Sequence, residues 1–173
     1  DNILIIRIHP AEISGSVPSN QPIFDEIIMK YKKLPNNIII IKPESKITSY
    51  EVAKSINTAL IFGTKLGIEL ASLGIRVIVA GNAWVRSKGF TDDVSSKKEY
   101  YQQLDNTTKF SKLSLRQRIL AIKFAYYLFF EKMIEVNLLT PKSRFGKFKL
   151  NVKKIDDIKK SRGLQSICNG IIN

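Results

Sequence analysis

A strand–helix–strand pattern over residues 58–81 constrains the fold more than any other part of the chain. An apolar run with β character (58–62) is followed by a helical segment (65–73), which Gly74 ends, and by a second β run (76–80). Glycine directly after a helix is a common stop signal, and continuous apolar runs are typical of strands buried on both faces. The pattern predicts a β-α-β unit with two parallel strands.

Two further strands and two helices precede this unit. The runs at 2–8 and 37–42 are rich in isoleucine, and a proline follows each of them. One helix is predicted to begin at Pro22, and Thr48 with Glu51 forms a capping box that opens a second helix. The order β-α-β-α-β-α-β with short connections indicates an α/β fold, a parallel sheet with helices on both faces.

The second half of the chain has a different character. Residues 82–93 are predicted to form a polar loop, and Ser96 with Glu99 has the pattern of a second capping box before a short helix. A long helix with a broad apolar surface is predicted over 114–136. The fold class is therefore α/β, followed by a long C-terminal helix and a tail.

The tail is basic and weakly periodic. Beyond Pro141 we expect loose packing, with one set of helical turns around Ile155 and Ile158. The predicted organisation is one α/β domain over residues 1–140 and a basic, partly ordered tail over 141–173.

The positive charge is concentrated toward the C-terminus. The whole chain carries a net charge of +13, and its final 33 residues hold nine Lys or Arg against two Asp or Glu. Such an imbalance favours an anionic partner: membrane lipid, a polyanionic glycan or nucleic acid. A genome rich in A and T, which favours Lys and Ile codons, would produce the same lysines without a partner. The only aromatic residues of the tail are Phe145 and Phe148, which is not the base-stacking pattern of single-strand binders, and we predict no nucleic acid partner.

Cysteine and histidine are too few for several kinds of site. The chain has one cysteine, Cys168, and one histidine, so neither an internal disulfide nor a Cys/His metal site can form. A single thiol is typical of a reducing compartment, and we expect a cytoplasmic protein. The adjacent pair Asp92 and Asp93 is a weak metal signal without further ligands, and no metal is predicted.

The turn after the first strand of the β-α-β unit has the composition of an anion site. Gly63 and Gly67 leave the backbone uncovered, Thr64 adds a hydroxyl and Lys65 adds a positive charge. Ligands of open α/β sheets bind at the carboxyl ends of the strands, where this turn lies. The spacing is not that of a P-loop or of a dinucleotide fingerprint. Thr64 could also serve only as a helix N-cap.

Four other candidate residues lie at the ends of predicted strands or on the predicted helix at 65–73. The strand at 2–8 delivers Arg7 and His9 to its carboxyl end, where histidine can donate to a phosphate or act as an acid or base. A surface histidine without a ligand is the alternative. Glu69 could accept bonds from a ribose or pair with Lys65, and Asn82 begins the loop after the last strand.

The ordered series of motifs resembles the capsule and surface polysaccharide biosynthesis proteins of bacteria. The resemblance covers residues 1–136 and is to the C-terminal, Rossmann-like domain of these GT-B-type glycosyltransferases, which binds the nucleotide sugar. The segments that carry it are His9-Pro10, Thr48-Ser49-Tyr50-Glu51, 63–69, 77–84 and 88–91.

The resemblance implies roles for individual residues. His9 would contact the donor phosphate and is the predicted catalytic residue, Ser49 and Thr64 would contact the phosphate, and Glu69 would hold the ribose. The donor would be a CMP- or UDP-linked sugar, with no further cofactor and no metal. The predicted set of nucleotide-sugar-binding residues is Arg7, His9, Ser49, Gly63, Thr64, Lys65, Glu69 and Asn82.

The resemblance also implies partners that the chain does not contain. GT-B enzymes have two Rossmann-like domains, and the usual catalytic base comes from the N-terminal one. Because the chain opens without Met and holds one such pattern, we expect a donor-binding half that needs that domain to transfer sugar to a polysaccharide acceptor. The expected location is the cytoplasm, with peripheral contact at the inner membrane. The alternatives are a polymer glycerol-phosphotransferase of the same fold and a non-catalytic α/β module that docks on anionic surfaces.

Overall fold

A computed structural model describes residues 2–14, 19–107, 112–142 and 147–172. The contacts within the chain divide it into two units, 1–127 and 128–173, whereas the sequence pattern predicts a boundary after residue 140. Among the described helices, none is long and apolar enough to cross a membrane.

The first unit is a mixed α/β arrangement with parallel strands, as predicted. The structure confirms the predicted β-α-β-α-β-α-β order and adds a short helix and a short fifth strand. Its elements are β1 (Leu4–Arg7), α1 (Ala11–Ser14), α2 (Ile23–Lys30), β2 (Ile38–Ile41), α3 (Ser49–Ala53), β3 (Thr58–Ile61), α4 (Leu66–Ser72), β4 (Arg76–Val79), β5 (Asp92–Asp93), α5 (Lys97–Asp105) and α6 (Leu115–Tyr126).

The strands form two small sheets and not one continuous sheet. β1 pairs with β2 in parallel, and a separate sheet has the parallel order β3-β4-β5. All four residues of β4 are buried, whereas β1 and β2 contain no buried residue. Isoleucine-rich runs therefore predicted the strands correctly, but burial on both faces was wrong for the first pair.

The core of the first unit lies between the larger sheet and the helices α4 and α6. α4 buries Ile68 and Leu70, and α6 packs on it and buries Ala121. Gly67 is also buried, and a Cβ at that position would lie 2.5 Å from the Cδ1 atom of Ile61. Gly67 therefore allows close helix–strand packing, and the prediction that it leaves backbone open to a phosphate was wrong.

The segment 82–91 is a loop, as its composition predicts, but it is not polar throughout and it leads into a strand. Val85 and Phe90 within it are fully buried, and Asp92 begins the short strand β5 beside β4. The side chain of Asp92 pairs with the buried Arg76 at 2.5 Å. This ion pair, together with the two apolar anchors, draws a charged sequence into the fold, which a composition pattern does not reveal.

The second unit contains more structure than predicted. The helix predicted over 114–136 ends as regular α-helix at Tyr126, and a π-helical turn covers Tyr127–Glu131. A Cβ on Gly163 would lie 2.0 Å from the Glu135 carbonyl oxygen. The chain near Glu135 therefore packs against the helix that contains Gly163. This contact occupies the stretch in which α6 was predicted to continue.

Two strands and two helices follow in the second unit. β6 (Leu139–Pro141) pairs antiparallel with β7 (Phe148–Leu150). The predicted turns around Ile155 and Ile158 are present as α7 (Ile155–Lys159). The helix α8 (Arg162–Ile172) was not predicted, because two glycines and an asparagine lower its intrinsic helix propensity.

Candidate functional site

The turns after β3 and β4 lie side by side at the carboxyl edge of the larger sheet. The two strands are parallel with Ile61 opposite Val79, so the chain leaves both strands at the same edge. A Cβ on Gly63 would lie 3.3 Å from the Asn82 carbonyl oxygen, and one on Gly81 would lie 2.6 Å from the Phe62 carbonyl oxygen. The structure thus brings the predicted residues Gly63 and Asn82 together.

The Gly63–Lys65 turn presents hydrogen-bond donors that are not used within the fold. The backbone N–H groups of Gly63, Thr64 and Lys65 donate to no acceptor in the part of the chain that the structure describes. The Thr64 hydroxyl oxygen accepts from the Leu66 N–H at 3.3 Å, which leaves its own O–H to donate. Lys65 is exposed. The turn can therefore offer N–H groups, a hydroxyl and an ammonium group to one anion.

Glu69 faces a tyrosine that links two helices. The Tyr50 hydroxyl of α3 donates to the Glu69 carboxylate of α4 in a short hydrogen bond. That bond, followed by desolvation and the negative charge of Glu69, raises the pKa of Tyr50 above 10.0. Glu69 forms no ion pair with Lys65 among the described residues, so the pairing alternative does not hold. Tyr50 was not among the predicted site residues, although it lies within one of the motifs.

The predicted capping box fixes the start of α3 beside this bond. The Thr48 N–H donates to the Glu51 carboxylate at 2.6 Å, and the Glu51 N–H donates to the Thr48 hydroxyl oxygen at 3.2 Å. The hydrogen bond from the Thr48 backbone lowers the pKa of Glu51 below its ordinary value. Ser49, the first residue of α3, is half-buried. The box therefore positions Ser49 and Tyr50 on one helical turn.

Arg7 and His9 lie at the end of the smaller sheet. The Arg7 guanidinium donates to the carbonyl oxygens of Ile8 at 2.5 Å, of Lys42 at 2.9 Å and of Ser45 at 3.4 Å. His9 is exposed, and its Nδ1 accepts from the Ala11 N–H at 3.0 Å. In the neutral ring the proton is therefore on Nε2, which faces solvent as a donor.

The predicted residues occupy two separate edges. Arg7 and His9 share hydrogen bonds only with β1, β2 and the residues that follow them, and no hydrogen bond or ion pair between described residues joins them to Gly63, Thr64 or Glu69. The sequence pattern placed Arg7, His9 and the Gly63–Thr64 turn at strand ends but could not show that the strands form two sheets.

Arg86 has a structural role that the sequence pattern does not indicate. Its guanidinium donates to the carbonyl oxygens of Val79 and Gly81, both at 3.3 Å, and of Val94 at 2.8 Å, and to the Ser95 hydroxyl at 3.2 Å. It thus ties the end of β4 to the residues after β5. No sequence signal separates it from other arginines in a polar segment.

The two adjacent aspartates have structural partners. The Asp93 carboxylate accepts from the Ser87 N–H at 2.5 Å and the Thr91 hydroxyl at 2.7 Å, and it holds Ser87 in the left-handed region at φ 59°. Asp92 pairs with Arg76. Within the described ranges no group of three or more Asp, Glu, His or Cys could hold a metal.

A shallow concavity of about 240 Å³ lies beyond β4. It is lined by Ala80, Val94, Ser95, Ser96, Lys97 and Tyr100. The Glu99 carboxylate accepts from the Ser95 N–H at 2.7 Å at this helix start. Its negative charge opposes an anion there, so the Gly63–Lys65 turn is the better anion site of the two.

No protein-family model, curated protein or solved structure matches this chain. The resemblance to polysaccharide biosynthesis proteins therefore remains a prediction based on the motifs.

Proposed function

We propose that this chain is the donor-binding half of a GT-B-type glycosyltransferase that transfers a sugar from a nucleotide-activated donor to a surface polysaccharide. The observation that carries the proposal is the Gly63–Lys65 turn, whose three N–H groups have no described acceptor and which lies at the carboxyl edge of parallel strands. A diphosphate or monophosphate of the donor would occupy this turn.

The neighbouring side chains have matching roles in this proposal. Glu69, held by Tyr50, accepts from the ribose hydroxyls, and Ser49 and Asn82 flank the phosphate. From the separate edge of the smaller sheet, His9 would offer its exposed Nε2–H to the donor and offset the charge that develops on the leaving nucleotide. Arg7 fixes the backbone that presents His9.

Helix α6 has a face suited to contact with a second domain. Four of its apolar residues project in one direction at helical spacing, and each of them is exposed. They are Leu115 at 72%, Ile119 at 44%, Ile122 at 46% and Tyr126 at 58%. We assign this stripe to the domain that supplies the acceptor site and the catalytic base. The chain by itself then binds nucleotide and transfers no sugar, in the cytoplasm.

A nucleotide panel tests the donor site. Thermal shift and calorimetry are run on the chain with CMP, CDP, UMP, UDP and GDP, and with CDP-glycerol for the phosphotransferase alternative. We expect one pyrimidine nucleotide to stabilise the protein. Lys65→Ala should weaken its binding about tenfold, since a charged hydrogen bond is lost.

Matched variants make the test specific. Lys98→Ala removes another exposed lysine of the same unit, and Glu26→Gln is the control for Glu69→Gln; neither control should change affinity. His9→Ala reports whether the carboxyl edge of the smaller sheet, β1–β2, contacts the same ligand. If the folded chain binds no nucleotide at millimolar concentration, or if Lys65→Ala and Lys98→Ala behave alike, the donor-site assignment is wrong.

A further inference from the structure

The hairpin of β6 and β7 separates apolar from basic residues on its two faces. Leu139 lies opposite Leu150, and Pro141 lies opposite Phe148. Directly opposed residues and their second neighbours share a face of an antiparallel pair. These four apolar residues therefore occupy one face of the hairpin.

The opposite face is basic. Thr140 is paired with Lys149, and the Lys142 N–H donates to the Lys147 carbonyl at 2.7 Å, which continues the register by one pair. Lys142, Lys147 and Lys149 thus alternate with the apolar residues along the two strands. All three lysines are exposed.

The apolar face is uncovered. Leu139 is 43% exposed, Phe148 is 56% exposed and Leu150 is 65% exposed. A two-stranded hairpin is marginally stable in water unless its apolar face packs against something. This hairpin thus has an apolar surface that lacks a partner among the described residues.

The surrounding charge indicates which kind of partner. Lys153, Lys154, Lys159 and Lys160 follow the hairpin and are all exposed. The Asp157 carboxylate is engaged by the backbone N–H groups of Lys153 and Lys154, at 2.9 and 3.1 Å. Over the described residues of the hairpin and the segment up to residue 160, seven lysines stand against two carboxylates, Asp156 and Asp157, so positive charge exceeds negative charge.

We propose that this hairpin docks the chain on an anionic phospholipid surface. Its apolar face would enter the boundary between headgroups and acyl chains, while the lysines of the other face contact headgroup phosphates. Protein interfaces are depleted in lysine at their centre. A thin hairpin with one apolar face and lysines on the other therefore fits a lipid surface better than a second protein. The proposal does not depend on the nucleotide site.

Vesicle co-sedimentation of the full chain tests the proposal. One set of vesicles contains about 30% phosphatidylglycerol in phosphatidylcholine, and the other contains phosphatidylcholine alone. We expect at least about tenfold more binding to the anionic set, and a steep loss when NaCl is raised from about 0.1 M to about 0.5 M.

Paired variants separate the two faces. Phe148→Ser with Leu150→Ser should reduce binding to anionic vesicles about tenfold, and Lys142→Gln with Lys147→Gln should reduce it several-fold and flatten the salt dependence. The matched controls in the other unit are Ile23→Ser with Met29→Ser and Lys32→Gln with Lys33→Gln. Both controls should bind as the original chain does.

Three results would overturn the proposal. They are equal binding to both kinds of vesicle, no binding to either, and hairpin variants that bind like their controls. Light scattering gives a further readout. A dimer that the Phe148→Ser, Leu150→Ser variant abolishes would assign the face to a second copy of the chain instead. Circular dichroism confirms that each variant is folded, and nucleotide affinity, measured in parallel, should not change with any hairpin variant.

Discussion

The two parallel strand pairs of the first unit have the same length and similar sequences, but they differ in burial. β1 and β2 each have four residues, as β3 and β4 do. The isoleucine-rich β2 is half exposed, with Ile39 at 48%, whereas Ile78 at the centre of β4 is fully buried. Burial thus depends on what packs against a strand. Here α4 and the residues 85–94 cover one pair and leave the other more open.

This difference in burial between the two strand pairs affects the two parts of the proposed site differently. The Gly63–Lys65 turn follows β3 of the buried pair β3–β4, so the packed core holds the backbone that leads into it. His9 follows β1 of the more exposed pair β1–β2. Its position depends on the hydrogen bonds from Arg7 to the neighbouring carbonyl oxygens. We therefore predict a well-supported backbone at the turn proposed to bind phosphate and a less supported position for His9. The variants below test this contrast.

The largest effect is expected at Ile78 of β4, and Ile39 of β2 serves as its comparison in the other sheet. Ile78→Ala should lower the free energy of unfolding by about 2–5 kcal/mol, because it leaves a cavity in a packed core. Ile39→Ala removes the same atoms from a half-exposed strand and should cost about 1 kcal/mol or less. Urea unfolding of both variants measures the difference. Equal losses would show that the two sheets are packed alike.

A smaller loss is expected at the glycine after β4. Gly81→Ala places a Cβ 2.6 Å from the Phe62 carbonyl oxygen and 2.9 Å from the Phe62 ring, and should destabilise by about 1–3 kcal/mol. Gly170→Ala is the control, because nothing lies within 4 Å of its added Cβ. It should be neutral or stabilise α8 by up to about 1 kcal/mol. Thermal denaturation in the absence of nucleotide compares the two.

On the open pair, Arg7→Met should cost about 1–2 kcal/mol, since the carbonyl oxygens of Lys42 and Ser45 lose a charged donor but remain near solvent. The variant should also weaken any nucleotide effect that His9→Ala weakens, because Arg7 fixes the backbone at His9. Unfolding in urea and the nucleotide panel are the two measurements. A change in stability without a change in nucleotide binding would show that Arg7 does not support the donor site.

The smallest effect is a pH dependence at the start of α3. The folded-state pKa of Glu51 is lowered by the hydrogen bond from Thr48. The carboxylate therefore stabilises the fold fully above the ordinary pKa of 4.5, and this contribution is lost as the pH falls through the lowered value. Urea unfolding between about pH 6 and about pH 3 should show a weaker pH dependence for Glu51→Gln than for the original chain. Identical pH profiles would contradict the role of the box.

Local signals predicted most elements of the first unit. The four strands lie within the apolar runs that predicted them, at 2–8, 37–42, 58–62 and 76–80, and the capping box at Thr48 predicted the start of α3. These signals lie within a few residues of the elements they specify. The Tyr50–Glu69 bond, by contrast, spans nineteen positions, and no local pattern could reveal it.

The errors share a physical cause. The ion pair of Arg76 with Asp92 and the buried Phe90 draw a polar segment into the core, and contact between Gly163 and Glu135 ends the helix that periodicity extends. Tertiary contacts override local preference in both cases. The division into two sheets likewise depends on which strands pair, and strand composition does not determine that.

The chain contains one tryptophan and one cysteine, and each lies in a different unit. Trp84 is 63% exposed in the first unit, and Cys168 is exposed on α8 in the second. A dye attached to that thiol can accept excitation energy from the indole, so the unaltered sequence already carries one donor and one acceptor. Any ligand, nucleotide or lipid, that changes the separation of the units would register as a change in fluorescence transfer.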